Sequence, residues 1–418
     1  MSGRVGGYCA DVLDLDFVRA QFPAFSRPET RDWVHAENAG GSYVPDQVID
    51  LLTEFYVASK VQPYGPAGPA KVAGVAMDRG TELLPATLGC DADEFSLGPS
   101  TTQNTYVAAM GLAGLMEPGD RVVVTNQDHE ANIGPWRRLV EQGIEFDEWQ
   151  VDPTTGLLDV ADLDALLTER TKLVCVTHAS NLAATVNPIA EIAEKAHAVG
   201  ALLAVDGVSY APHAPIDVRE LDCDLYFYST YKTYGPHLGA MYVRRSVLDS
   251  LTNQGHWFNA PQPTKRLTPA GPNHAEVAAA AGIVDYYEAV HAHHGLAGDT
   301  LAERVRAVMA LFGEHEATLL DPLMAHLRDA DVRLVGSPSG DHAVRAPTVA
   351  FVPDGATPSA VVGHLANRGI GVNSGHFYAK RLADAMGIGD DGVVRISLVH
   401  YNTTDDVDRI LTALDEVL

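Results

Sequence analysis

Four short apolar runs constrain the fold of this chain more than any other feature. They are Arg121-Val122-Val123-Val124-Thr125, Lys172-Leu173-Val174-Cys175-Val176, Leu202-Leu203-Ala204-Val205 and Leu225-Tyr226-Phe227-Tyr228, and helical patterns such as Pro188 to Val199 separate most of them. Continuously apolar strands are buried on both faces. Their alternation with helices predicts a mostly parallel sheet covered on both sides. Ligands of such sheets bind beyond the carboxyl ends of the strands. The polar residues that follow the runs, Asp128, His129, Asn181, Asp206 and Lys232, are therefore the first candidates for a site.

Lys232 and Asp206 carry the sharpest chemistry. Lys232 sits in Ser229-Thr230-Tyr231-Lys232-Thr233-Tyr234-Gly235 at the end of one apolar run, and Asp206-Gly207 closes the run before it. A lysine is ordinarily exposed, and a buried carboxylate needs a partner. A pyridoxal phosphate enzyme uses both. The amine forms a Schiff base with the cofactor aldehyde, and the carboxylate keeps the pyridine nitrogen protonated. Ser100-Thr101-Thr102-Gln103-Asn104 lies between a strand-like Glu94–Leu97 and a helical run from Val107 to Leu115, which suits either a plain N-cap or an anion site. His129 suits stacking on a flat ring or a hydrogen-bonded loop. Asn181 offers an amide at the same rim. Arg395, in Val393-Val394-Arg395-Ile396-Ser397-Leu398, suits bidentate capture of a carboxylate or a structural ion pair.

Composition narrows the partners. The chain has 418 residues with a formal charge of −26, which argues against nucleic acid and anionic membrane surfaces. No run approaches the ~18 apolar residues of a membrane span, and Met1 to Asp14 has no signal-peptide pattern, so the expected location is cytoplasmic. Cys9, Cys90, Cys175 and Cys223 form no Cys-x-x-Cys pair, and Cys175 and Cys223 read as buried thiols. His291-Ala292-His293-His294 lacks acidic or cysteine partners at ligand spacing and reads as a solvated turn, so no metal is expected.

Along the chain, residues 1–12 are Gly-rich. Helices are predicted over Leu15–Phe22, Asp46–Tyr56, about Ala70–Leu88 with Pro85 kinking or shortening it, and Ala275–Glu288. Gln62 to Pro69 is a Pro/Gly loop. Beyond His291 the pattern predicts two helical stretches, a strand at Thr348–Val352, a further helix–strand pair and a last helix from Asp405 to Leu418.

Several landmarks taken together resemble the class V aminotransferases of pyridoxal phosphate fold type I, and within them the cysteine desulfurase/selenocysteine lyase branch. They are Asp128-His129-Glu130-Ala131-Asn132-Ile133, Thr177-His178-Ala179-Ser180-Asn181, Val205-Asp206-Gly207, Ser229 to Pro236, and Arg395 to Thr403. Tyr210-Ala211-Pro212-His213 and His400-Tyr401-Asn402-Thr403 resemble the subgroup called cysteine desulfurase-like proteins. The resemblance implies an α/β fold with a large domain on a mostly parallel seven-stranded sheet and a smaller α+β C-terminal domain. It also implies an arm over residues 1–35 joining the small domain, a cofactor domain over 36–290 and a small domain over 291–418. By the same resemblance Lys232 holds the cofactor and shuttles protons, Asp206 pairs with the ring nitrogen, and His129 stacks on the ring. Thr101, Thr102 and Ser229 hold the phosphate, and Asn181 and Arg395 hold the substrate carboxylate. A homodimer is implied, with 62–69 and 259–274 as contributors.

Departures from the pattern bear on the reaction. Tyr378, in Ser374-Gly375-His376-Phe377-Tyr378-Ala379-Lys380, stands where desulfurases carry the thiol that receives sulfur. Tyr231 replaces the usual histidine before the lysine, Ser209 replaces a glutamine, Asn373 stands near an expected arginine, and Gly271-Pro272 replaces Gly-Thr. The expected activity is β-elimination that cleaves a carbon–sulfur bond in cysteine or a cysteine derivative, releasing sulfide or thiol. The alternatives are an epimerase or aminotransferase on another amino acid, and a non-catalytic homologue.

Overall fold

The computed structural model describes residues 12–418. The Gly-rich leader, apart from Val12, and Cys9 lie outside the described residues. A seven-stranded sheet forms the centre. Its order across the sheet is Phe95–Gly98, Gly239–Val243, Leu225–Ser229, Leu202–Asp206, Thr171–Thr177, Arg121–Thr125 and Glu145–Trp149. Gly239–Val243 runs against both its neighbours; the strands from Leu225–Ser229 to Glu145–Trp149 are parallel. The apolar runs are continuous because each strand feeds two cores. Val123, Val174, Leu203 and Tyr226 pack on one face, and Val122, Leu173, Ala204 and Phe227 on the other.

The second sheet is antiparallel, in the order Asn373–Gly375, Val393–Ser397, Thr348–Pro353 and Val332–Val335. Its core takes in the last helix, Thr404–Asp415, through Val407, Ile410 and Leu414. Val34 and His35 pair in parallel with Ile370 and Gly371. The N-terminal segment divides between the cores: Leu13, Val18 and Phe22 join the helices of the large sheet, and Val34 and Ala36 join the small one.

Several helices differ from the sequence expectation. The stretch beyond His291 holds one helix of 29 residues, Leu301–Asp329, in place of two. It continues through Pro322 because its ends are anchored in different cores, by Val308 and Phe312 in one and Leu323 and Leu327 in the other. The helix expected to Leu88 stops at Leu83, and Pro85 lies in the following 3-10 turn, where its missing N–H does no harm. The helix at Ala275 is two, His274–Ala279 and Ala281–His294. The histidines 291–294 are not a solvated turn. His293 stacks on Phe17 with centroids 3.8 Å apart, its Nε2 lies 2.9 Å from Asp14, and His294 Nε2 accepts the Asp14 N–H. They fasten the first helix. Among the described residues no three His, Cys, Asp or Glu side chains are grouped to hold a metal, and no helix is long and apolar enough to cross a membrane.

Gly80 lets the helix Gly68–Leu83 approach His274–Ala279 closely, since a Cβ there would press on the Val277 carbonyl. Alanine gains about 1 kcal/mol in helix propensity over glycine. A backbone carbonyl inside a packed helix does not yield, so overpacking of about 1–3 kcal/mol dominates. Gly80→Ala is expected to lower the urea midpoint; a raised midpoint would show that the helices part freely.

Candidate active site

The carboxyl ends of the parallel strands open into a cavity of about 460 Å³. Thr101, Thr102, His129, Asn181, Asp206, Ser209, Ser229, Tyr231, Lys232 and Tyr378 all line it. The fold thus brings together residues spread over almost 280 positions of sequence. Arg395 and Asn373 do not line it. Arg395 is 3% exposed, behind the ring of Phe377, and Asn373 is exposed, its own Oδ1 accepting the Ser374 N–H.

Local structure aims each group. The strand Leu225–Ser229 runs into a 3-10 turn, Thr230–Lys232, that places Lys232 at the cavity. Ser42 fastens this turn: its Oγ donates to the Tyr231 carbonyl and accepts the Tyr234 N–H. Tyr234 holds a left-handed φ of 68° and is anchored at its far end, its hydroxyl donating to the Pro212 carbonyl and meeting His400 Nδ1 at 3.0 Å. Asp206 ends its strand with one oxygen accepting the Val208 N–H at 2.9 Å. Asp128 accepts from Thr125 and, at 2.8 Å, from Asn132, and so fixes the loop that carries His129. His129 Nδ1 accepts the Ala131 N–H at 3.0 Å. The helix Thr101–Ala113 starts at the cavity, capped by Ser100, and Thr101 Oγ1 and Ser229 Oγ lie 2.7 Å apart.

Burial sets the electrostatics. It lowers Lys232 to about 8, with Arg395 acting in the same sense and Asp206 and Glu37 opposing. It raises Asp206 to about 6 and Asp128 to about 8, and lowers His129 to about 3. The imidazole is thus neutral, and the lysine amine gives up its proton more easily than an exposed lysine.

The donor set suits pyridoxal phosphate. Lys232 supplies an amine that forms no hydrogen bond, Asp206 a buried carboxylate for a protonated ring nitrogen, and His129 a neutral flat ring. Two hydroxyls and a helix N-terminus supply phosphate donors.

The Aminotransferase class-V family model matches residues 34–410. The chain belongs to the class-V aminotransferase family. An aminotransferase-like protein, FGM3, of Gibberella zeae is 36% identical over 97% of this chain and 99% of its own length. A cysteine desulfurase of an Enterobacter species is 31% identical over 96% of this chain and 98% of its own. The apo structure of a cysteine desulfurase from Thermococcus onnurineus NA1 superposes with a TM-score of 0.83 at 23% identity, covering 97% of this chain and 98% of that one, which shows the shared fold. The protein is a pyridoxal-phosphate-dependent enzyme by its family.

Sequence reasoning missed three residues of this region. Glu37 pairs with Arg395 at 2.5 Å, Phe377 covers Arg395 with its ring centroid 3.7 Å from the guanidinium carbon, and His237 stacks flat on Tyr231 at 4.5 Å. Glu37 and Arg395 lie 358 positions apart, so no local pattern reveals the pair; an acidic residue after the strand Val34–His35 was the available signal.

Asp206 has a folded-state pKa above its unfolded value near 3.9. Between about pH 4 and 6 the folded protein therefore binds the extra proton, and stability of the cofactor-free protein falls as pH rises through that window. Asp206→Asn removes this pH-dependent penalty, on the order of 3 kcal/mol. Melting curves of cofactor-free wild type and variant from pH 4 to 7 are expected to diverge in the variant's favour; parallel curves would contradict a buried carboxylate.

Proposed function

We propose that the enzyme catalyses β-elimination on cysteine or a cysteine derivative, breaking the Cα–H and Cβ–S bonds and releasing free thiol or sulfide, with pyruvate and ammonia after hydrolysis. The observation that carries this reading is the pairing of a desulfurase-like site with Tyr378 where the sulfur-accepting thiol is expected. Of the described cysteines, Cys175 and Cys223 are buried and Cys90 is raised to about 12 by burial, and none lines the cavity. Among the described residues no thiol lines the cavity, so in this reading the sulfur leaves as a free species. The name of the Gibberella relative favours transamination as the second reading.

When bound, pyridoxal phosphate supplies an electron-withdrawing ring that spreads the charge released at the substrate α-carbon. In this reading Lys232 holds the cofactor and then moves the α-proton, a task suited to an amine near 8. Asp206 holds a proton on the ring nitrogen, and His129 covers one ring face without adding charge. Thr101, Thr102, Ser229 and the N-terminal N–H groups of Thr101–Ala113 take the phosphate. Tyr231, stacked on His237, and Ser209 border the ring. Asn181 and Arg395 take the substrate carboxylate, and Tyr378 closes the mouth, its ring 5.3 Å from His129. Asn373 is left out of the substrate contacts by its place away from the cavity.

Two copies of the chain are part of the proposal. Trp257 is 85% exposed, and Phe258, Tyr64 and Val61 beside the Pro/Gly loop are exposed as well, an apolar surface that a second copy covers. The three free cysteines among the described residues agree with a reducing, cytoplasmic setting.

Borohydride treatment of the yellow protein is expected to fix a reduced adduct on Lys232, and Lys232→Ala to lose turnover by at least about a thousandfold. With a panel of cysteine conjugates, pyruvate and free thiol should appear in equal amounts. A keto acid that retains the sulfur would replace elimination with transamination. Trp257→Glu is expected to shift the sedimentation coefficient from dimer toward monomer; an unshifted dimer would place the interface elsewhere.

A further inference from the structure

Two carboxylates line the cavity, Asp206 at a strand end and Glu130 at the rim. Asp206 is assigned to the ring nitrogen; Glu130 has no role in the reading above. It opens the 3-10 turn Glu130–Asn132, directly after His129. A Cβ on Gly134 would stand 2.9 Å from Glu130 Oε1, so the glycine leaves the carboxylate its place beside the helix Gly134–Arg137. Among the described residues the Glu130 side chain forms no hydrogen bond and no ion pair. Burial nonetheless raises its carboxyl above the ordinary value, with only the Arg137 charge opposing. Two phenol rings share the rim. The helix Thr101–Ala113 packs against both the turn and the helix Gly134–Arg137, and its Tyr106 lines the cavity. The Glu130 N–H donates to the Tyr378 carbonyl at 2.9 Å, which fastens Tyr378 to the same turn. No arginine and only one lysine, Lys232, line the cavity.

We propose that Glu130, Tyr106 and Tyr378 form a subsite for a positively charged group at the far end of the substrate's side chain. The inference rests on the reading of the cavity as the site of a cysteine derivative. It names the class: a derivative whose sulfur carries a short chain ending in an amine. The α-carboxylate is assigned to Asn181 and Arg395 and the α-amine to the cofactor, so the side chain is the part of the substrate left to meet the rim. An ammonium there is drawn to the carboxylate and to the phenol faces at once. It also offsets the partial desolvation that Glu130 bears without a partner. An uncharged chain leaves that cost standing, and an anionic one meets a like charge. The formal charge of −26 acts in the same sense, favouring the approach of cations over anions.

The test uses the cofactor-loaded enzyme and S-aminoethyl-L-cysteine beside its uncharged counterpart, S-propyl-L-cysteine. Initial rates of total α-keto acid give kcat/KM for each, and the readout is the aminoethyl-to-propyl ratio. Comparing that ratio between wild type and variants cancels the difference in leaving-group strength. Glu130→Gln is expected to lower it about fivefold, and Tyr106→Leu about threefold. A ratio that holds its wild-type value in either variant would overturn the subsite. A second arm needs no variant and no departing sulfur. L-lysine, which matches the aminoethyl compound in length, and uncharged L-α-aminoheptanoate are titrated against the visible absorbance of the wild type. L-lysine is expected to bind about fivefold more tightly. Equal or weaker binding of L-lysine would overturn the proposal. Total α-keto acid counts pyruvate and a sulfur-retaining keto acid alike, so a switch from elimination to transamination sinks the functional reading and leaves the ratio readable. Should neither cysteine conjugate be turned over, the functional reading fails and the absorbance titration still decides this one.

Discussion

The constraint on which the molecule depends is the confinement of a lysine amine and a carboxylate within one cavity. Each charged form is disfavoured there, as the raised Asp206 and the lowered Lys232 show. Only a rigid surrounding keeps such groups facing one another in place of turning to water. The sheet provides it. Asp206 and Lys232 end adjacent strands whose registry pairs Asp206 with Phe227, and both strands are sealed by cores on either face. The left-handed Tyr234, tied to Pro212 and His400, then stops the chain just past the lysine from relaxing.

The antiparallel sheet brings groups to the same region. Val393–Ser397 carries Arg395, and the loop beyond Asn373–Gly375 brings Phe377 and Tyr378 to the mouth. The helix Leu301–Asp329 spans the cores of both sheets, so the relation between Lys232 and Arg395 is set by packing along a single rod. Pro322 within it is tolerated because burial on both sides outweighs one lost backbone hydrogen bond. The polar seam beside that rod, His213 with Glu316 at 3.0 Å and His400 with Tyr286 at 2.6 Å, adds directional contacts where apolar packing alone would slide.

Much of this was legible in the chain. Lys232, Asp206 and His129 each follow a buried strand, and strand ends in a parallel sheet point to the site without any knowledge of distance. Glu145–Trp149 was not legible because it is an edge strand of mixed polar and apolar residues, Glu145-Phe146-Asp147-Glu148-Trp149, with no long apolar run. The single long helix was hidden by the switch of its buried face from one core to the other. Asn373, named from the family resemblance, pairs in register with Arg395 in the sheet while its side chain lies outside the cavity.

The replacement at 378 and the pair at 395 belong to one design. A thiol at the mouth must reach the departing sulfur, so the segment that bears it has to move freely. Here the segment is fastened at three points: the Phe377 carbonyl to Asn181, the Phe377 ring to Arg395, and the Tyr378 carbonyl to the Glu130 amide. A fastened aromatic segment cannot carry a group to the reaction centre, but it can exclude water from it. Escape of the leaving group and entry of water both pass this segment, so its hold on the site bears on the fate of the α-carbon.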